Sequence, residues 1–141
     1  MGAAVKQRDR EPTEARILAA AEAQLAEAGF RAFGVNAVAR RAGCDKQLIY
    51  RYFGGLEGLV AAVGRSMSGR HEGTPALAGA QSHGELTERF LLAYLERFRG
   101  DVLAQRIAAW ELAERSPLVV ALAAARAAAL KRWMEEARGG L

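Results

Sequence analysis

The sequence contains few residues that would cross-link the chain or interrupt its helices. Its 141 residues include one cysteine and three prolines, so an internal disulfide is excluded and continuous helices are favoured. It has no uninterrupted apolar run of about 18 residues, the length that a transmembrane helix needs. The first residues, MGAAVKQRDREPTEAR, are charged and lack the apolar stretch of a secretory signal. These absences predict a cytoplasmic protein with no membrane partner.

The residues that are abundant, alanine and leucine above all, predict an all-α protein. The net charge of +4 is unevenly distributed, because residues 1–70 hold 11 Lys+Arg against 7 Asp+Glu and residues 71–141 hold 9 of each. Five of the cations lie within 21 residues of the first half: Arg31, Arg40, Arg41, Lys46 and Arg51. A local basic excess indicates a polyanionic partner. On charge alone, an ordinary solvated surface is an equal alternative.

Hydrophobic periodicity and glycine stops divide the chain into two helical domains. We predict a flexible basic arm over 1–12, and then a first helix that Thr13 caps and Gly29 ends. The predicted segments are a three-helix domain over 13–55 with later helices at 35–42 and 46–53, a connecting helix over 56–67, an irregular linker over 68–84, and a second helical domain over 85–141. This last domain should contain helices at roughly 85–99, 102–115 and 117–138.

The segment AGCDKQLIYRYFGG, residues 42–55, has the pattern of a turn followed by a short two-sided helix. At 100° per residue, Leu48, Ile49, Tyr52 and Phe53 share an inner face, and Lys46, Gln47, Tyr50 and Arg51 share an outer face. Two short helices joined by a tight turn have the spacing of a helix-turn-helix, in which the second helix reads base edges in the major groove. Arg, Lys and Gln pair well with guanine and adenine edges. The spacing by itself is also common in helix pairs that bind no DNA.

The segment from Arg16 to Leu59 resembles the N-terminal domain of TetR-family transcriptional regulators. The matching pieces are ILAAAEAQLAEAGF (17–30), VNAVARRAG (35–43) and CDKQLIYRYFGGLEGL (44–59), and the most specific piece is Leu48-Ile49-Tyr50-Arg51-Tyr52-Phe53. The resemblance implies a three-helix DNA-binding domain followed by a helical domain that binds a small-molecule effector and forms a homodimer. It further implies a bacterial repressor that binds double-stranded DNA at a palindromic operator and is released by its effector.

Carried over to this chain, the resemblance gives Lys46, Gln47 and Arg51 as candidate base readers. Tyr50, Tyr52, Arg40 and Arg41 are the candidate phosphate contacts. For Tyr52, packing of the ring against the inner face is an equal alternative. Three positions depart from the family pattern: Gly34 replaces a capping Thr or Ser, Gln47-Leu48 replaces a Gly-Thr pair, and Leu56 replaces a lysine. Each departure removes a backbone contact with DNA, which affects affinity more than sequence choice.

The second half offers fewer signals. Phe90, Tyr94 and Trp110 combine bulk with helical spacing and are predicted to line an effector pocket, although aromatic residues at this spacing also serve as plain core. This half is short for the resembled family, so its dimer-forming region is predicted to be compact or incomplete. The stripe of Leu118, Leu122, Ala125 and Ala129 suits either a partner interface or packing within the monomer.

The sequence gives no sign of an enzyme, a metal site or a cofactor. His71 and His83 are twelve residues apart and lack metal-ligand spacing, and Cys44 suits a packed position in the turn. No phosphate-binding glycine loop or nucleophile–base pair is present. The alternative to a DNA-binding regulator is a helical module that binds a small molecule or a protein and has lost specific DNA binding, as the missing phosphate contacts suggest.

Overall fold

The computed structural model describes residues 2–69 and 77–139, which form seven α-helices and no strand. The helices are α1 (Gly2–Ala28), α2 (Val35–Ala42), α3 (Lys46–Phe53), α4 (Leu56–Gly69), α5 (His83–Gly100), α6 (Val102–Ala113) and α7 (Pro117–Gly139). The predicted all-α fold is confirmed, and the bounds predicted for α2 and α3 are those observed. The structure gives no helix in these residues that is long and apolar enough to span a bilayer.

The first helix begins eleven residues earlier than its predicted start at Thr13. Residues 2–12 therefore belong to α1, and the arm predicted there was wrong in its secondary structure. Pro12 lies inside the helix on an exposed side, and Arg10 and Glu14, one turn apart, form an ion pair at 2.5 Å. An i,i+4 pair of this kind supports a continuous helix across the proline.

The predicted linker over 68–84 is shorter at both ends than expected. α4 extends to Gly69 and α5 begins at His83, because the side chain of Ser82 accepts a hydrogen bond from the backbone N–H of Glu85 and caps the helix. His71 lies outside the described residues. α6 ends at Ala113 rather than 115, because Glu114 turns away to contact the end of α1.

The core is built on α4, which packs against α7, α1 and α3. The fully buried large side chains at its centre come from several helices and from the turn after α1: Ile17, Leu25, Phe30, Val38, Ile49, Leu59, Val60, Val63, Ile107 and Leu122. Gly64 permits the close crossing of α4 and α7, since a Cβ on it would lie 2.8 Å from the carbonyl oxygen of Leu122. The hydroxyl of Ser68 then donates to the carbonyl of Arg126 at 3.0 Å.

Candidate nucleic-acid interface

The turn between α2 and α3 is fixed by backbone hydrogen bonds and one left-handed glycine. Gly43 has φ +67, and its N–H donates to the carbonyl of Arg40, while the N–H of Cys44 donates to the carbonyl of Ala39. This Schellman arrangement ends α2, and it needs a residue that tolerates positive φ. The carboxylate of Asp45 then accepts the N–H of Gln47 at 2.9 Å and starts α3.

The third helix is buried on one face and open to solvent on the other, as its sequence predicts. Ile49 is fully buried, and Leu48, Tyr52 and Phe53 pack against the core from half-buried positions. The opposite face exposes the four polar residues that were predicted to share it: Lys46, Gln47, Tyr50 and Arg51. We refer to these four residues as the α3 outer face. It places an ammonium, an amide, a phenol and a guanidinium side by side on a helix whose position the core fixes.

The two arginines at the end of α2 differ in their surroundings. Arg40 is exposed. The guanidinium of Arg41 forms an ion pair with Glu27 and donates to the side-chain oxygen of Gln24 at 3.3 Å, so it is tied to α1. The hydrogen bond from Arg41, with its positive charge, lowers the pKa of the Glu27 carboxyl. Of these two candidate phosphate contacts, Arg41 is therefore the less available.

Tyr52 is held by a residue that the sequence prediction assigned to a flexible arm. The guanidinium of Arg10 lies over the Tyr52 ring, 4.9 Å from its centroid, and the ring is half-buried. Such a contact is worth roughly 0.5–1 kcal/mol at an exposed site. The i,i+4 spacing of Arg10 and Glu14 was the available sign that α1 extends this far.

The predicted effector residues do not share one site. A cavity of about 580 Å³ opens where the end of α4, the second half of α5, the α5–α6 corner and the middle of α7 meet, and Tyr94 lines it. Phe90 lies one turn earlier on α5, where its ring contacts those of Tyr94 and Trp133 at centroid distances of 6.2 and 5.1 Å. Phe90 and Trp110 are absent from the cavity wall.

Trp110 instead attaches α6 to the end of α1. Its indole N–H donates to the carbonyl of Ala26 at 3.1 Å, and its ring covers Gly29, where an added Cβ would lie 2.8 Å from the ring. One turn later the buried carboxylate of Glu114 accepts the backbone N–H of Phe30 at 2.7 Å. Sequence reasoning missed Glu114, because nothing local marks a glutamate as the acceptor for a residue 84 positions away.

Within residues 2–69 and 77–139, no three His, Cys, Asp or Glu side chains come together in a way that could hold a metal ion. The thiol of Cys44 is free and half-buried in the α2–α3 turn. Among the described residues, the α3 outer face brings exposed hydrogen-bonding and cationic side chains together on one surface. Arg40, at the end of α2, is also exposed and lies nearby in sequence.

The comparison with protein families matches residues 17–63 to the model of "Bacterial regulatory proteins, tetR family". The chain is 32% identical over 120 residues to an uncharacterised HTH-type transcriptional regulator of Mycobacterium tuberculosis, covering 78% of this chain. It is 43% identical over 56 residues to an HTH-type transcriptional repressor of Streptomyces coelicolor, covering 40% of this chain and 29% of that protein. The chain spans 59% of the length of the Mycobacterium relative.

Among solved structures, a TetR family transcription regulator from Marinobacter aquaeolei VT8 shares the fold. The TM-score is 0.63 at 20% sequence identity, and the match covers 96% of this chain and 72% of the other. The likeness therefore extends through the second half of the chain, beyond the residues matched by the family model.

Proposed function

We propose that the chain is a sequence-specific DNA-binding transcriptional regulator of the TetR family, which the match of residues 17–63 to the family model supports. It acts as a homodimeric repressor that a small-molecule effector releases from DNA. The observation that carries the proposal is the α3 outer face: four exposed polar side chains on a helix whose other side is sealed by the buried Ile49. A reader of base edges needs such groups on a rigid support.

In this proposal α3 enters the major groove with its outer face toward the bases. Lys46 and Arg51 suit the acceptors of guanine, and Gln47 suits the paired donor and acceptor of adenine. Tyr50 and Arg40 contact phosphates, and Tyr52 does so at the edge of the interface, with its ring fixed by Arg10. Arg41 contributes less, because its guanidinium is engaged by Glu27 and Gln24.

Two copies of α3 must lie about 34–36 Å apart to enter successive major grooves of one operator. An effector that favours a dimer with a different spacing lowers DNA affinity without touching α3. The Streptomyces relative is named a transcriptional repressor, and this supports repression as the direction of control. It is 43% identical to this chain over the 40% of the chain that it matches.

The test is selection of bound duplexes from a random pool, at near-physiological salt and with excess nonspecific competitor. We expect enrichment of a palindrome whose half-sites are about one helical turn, or a multiple of it, apart. Gln47→Ala should then relax discrimination at one base position by about 1–3 kcal/mol. A stable dimer that enriches no sequence would contradict the proposal.

A salt titration on the selected operator tests the phosphate contacts. Arg40→Ala should reduce the slope of log affinity against log salt by about 1. Arg41→Ala should reduce it less, because that charge is already paired with Glu27. Arg99→Ala, an exposed arginine on α5, is the matched control for loss of a charge and should leave the slope unchanged.

The second candidate function is a helical binding module that has lost specific DNA recognition. Two observations favour it: Gly34 precedes α2 without a side-chain cap hydrogen bond, and Arg41 is bonded within the protein. This candidate predicts weak DNA binding that Gln47→Ala and Tyr50→Phe leave unchanged at every sequence. The selection and the salt titration separate it from the first proposal.

A further inference from the structure

The cavity beside α5 has the size of a small-molecule site and a wall of defined chemistry. Its volume of about 580 Å³ lies within the range of roughly 300–1,000 Å³ that such sites occupy. The wall draws on three parts of the chain that are distant in sequence: Met67 at the end of α4, the α5–α6 corner, and Leu130 on α7. Because packing of separate helices forms it, its shape is defined by the tertiary fold.

One side of the cavity is aromatic. Tyr94 and Phe98 are one turn apart on α5, and their rings are nearly parallel, with an interplanar angle of 5° and a centroid distance of 6.4 Å. The two rings give the cavity an aromatic side, against which a planar ring gains ring–ring contacts in addition to burial of apolar area. Met67, Leu103 and Leu130 add aliphatic contacts.

Two of the charged groups of the wall are engaged by partners within the protein. Among the described lining residues there are two carboxylates, Glu96 and Asp101, and two guanidiniums, Arg97 and Arg126. Arg126 is bonded to Glu111 through both of its terminal nitrogens, at 2.8 and 2.9 Å, and Asp101 accepts the N–H of Ala104 at 3.0 Å to cap α6. A charged ligand would lose hydration on entering and would have to displace these partners to regain it, which is unfavourable.

We propose that this cavity binds an uncharged molecule with a planar aromatic ring that lies against Tyr94 and Phe98. The inference rests on the proposed function, since it names the chemical class of the effector. The hydroxyl of Ser68, which donates to the carbonyl of Arg126, can still accept one hydrogen bond from such a molecule.

Two fluorescent probes with the same ring system test the proposal on the full chain. N-phenyl-1-naphthylamine is uncharged, and 8-anilinonaphthalene-1-sulfonate carries one added negative charge. We expect saturable binding of the uncharged probe at one site per chain, at least about tenfold tighter than binding of the sulfonate, because the cavity offers the charge no spare partner. Equal or tighter binding of the sulfonate would overturn the proposed ligand class, as would the absence of saturable binding of the uncharged probe.

Substitutions then locate the bound probe. Tyr94→Leu should weaken binding of the uncharged probe by about three- to tenfold through loss of stacking, and Tyr94→Phe should leave it within about twofold. Leu92→Ser is the matched control, because Leu92 is exposed on α5 outside the cavity and an apolar probe could settle on it. If Leu92→Ser removes binding and Tyr94→Leu does not, the probe binds the surface and the proposal is wrong.

Duplex selection on the same preparation separates this inference from the proposed function. An enriched operator without probe binding would reject the ligand class and leave the DNA-binding regulator standing. Probe binding at Tyr94 without any enriched operator would support the cavity chemistry and reject the regulator.

Discussion

Helices α4 and α5 follow one another in the chain but differ in burial. All residues of both helices are described: α4 buries seven of its 14, and α5 buries one of its 18, Leu86. α4 is enclosed by α1, α3 and α7, whereas α5 has its main neighbour in α6 and leaves Leu91, Leu92 and Leu95 more than half exposed. The difference in burial follows both the number of packed neighbours and the composition, because α5 carries six charged residues and α4 carries two. The half that carries α3 rests on a well-packed core, and α5 is expected to open more easily.

The largest expected effect is on the side of the core. Ile49→Ala removes a fully buried side chain that fixes α3 to the core, and we expect the free energy of unfolding to fall by about 2–5 kcal/mol. Leu92→Ala on α5 is the matched change at 60% exposure and should stay within about 0.5 kcal/mol. Urea unfolding of both variants measures the difference. Similar losses would mean that α5 is covered in solution.

The burial of α4 also depends on the close approach of α7 at Gly64. Gly64→Ala places a methyl group 2.8 Å from the Leu122 carbonyl oxygen and 3.1 Å from the Ala125 Cβ, so the helices must separate, at a cost of about 1–3 kcal/mol. Gly69→Ala on the same helix is the control. Its Cβ meets nothing within 4 Å, and alanine should be neutral or stabilising by up to about 1 kcal/mol. Thermal unfolding distinguishes them, and an unchanged midpoint for Gly64→Ala would contradict the tight crossing.

A smaller effect is expected at Trp110, where the two halves meet. Trp110→Phe keeps an aromatic ring but removes the hydrogen bond to the carbonyl of Ala26, which should cost about 0.5–1.5 kcal/mol of unfolding free energy. The affinity for N-phenyl-1-naphthylamine should not change, because Trp110 lies outside the cavity wall. Loss of probe affinity with unchanged stability would restore the sequence-based assignment of Trp110 to the effector pocket.

These contrasts show which features of the fold a single sequence could predict. The bounds of α2 and α3 followed from local signals that agree with one another: a glycine stop at Gly43, a capping Asp45 and an apolar face at helical spacing. The α3 outer face followed from the same spacing. Where neighbours in sequence determine the conformation, the prediction was sufficient.

The features that prediction missed depend on tertiary contacts. Thr13 looked like a helix start, but α1 begins before it, and there the guanidinium of Arg10 lies over the ring of Tyr52 on α3. Trp110 looked like a pocket residue, and helical spacing could not tell that its ring lies over Gly29. The cavity unites Met67 with residues of α5, α6 and α7, and no local pattern links them.

The smallest expected effect on stability concerns the polar contacts that fix the start of α5, a helix with little buried surface. Its first turn is fixed by Glu85, whose pKa lies below the ordinary value of 4.5, chiefly because the backbone N–H of Gln81 donates to its carboxylate, with Arg89 adding its charge and a hydrogen bond. Since the folded pKa is the lower one, this stabilisation is fully present above about pH 4.5 and is lost as the pH falls through the folded value.

Glu85→Gln should therefore lower the unfolding midpoint slightly at pH 7, and the difference from wild type should shrink as the pH falls and the wild-type carboxyl takes up its proton. Glu88→Gln, at an exposed position of the same helix, is the control and should shift the midpoint less at pH 7. Hydrogen exchange of the amides in the first turn of α5 gives the local readout. A gap between wild type and Glu85→Gln that stays undiminished as the pH is lowered from 7 would show that packing, and not the carboxylate, holds this end of α5.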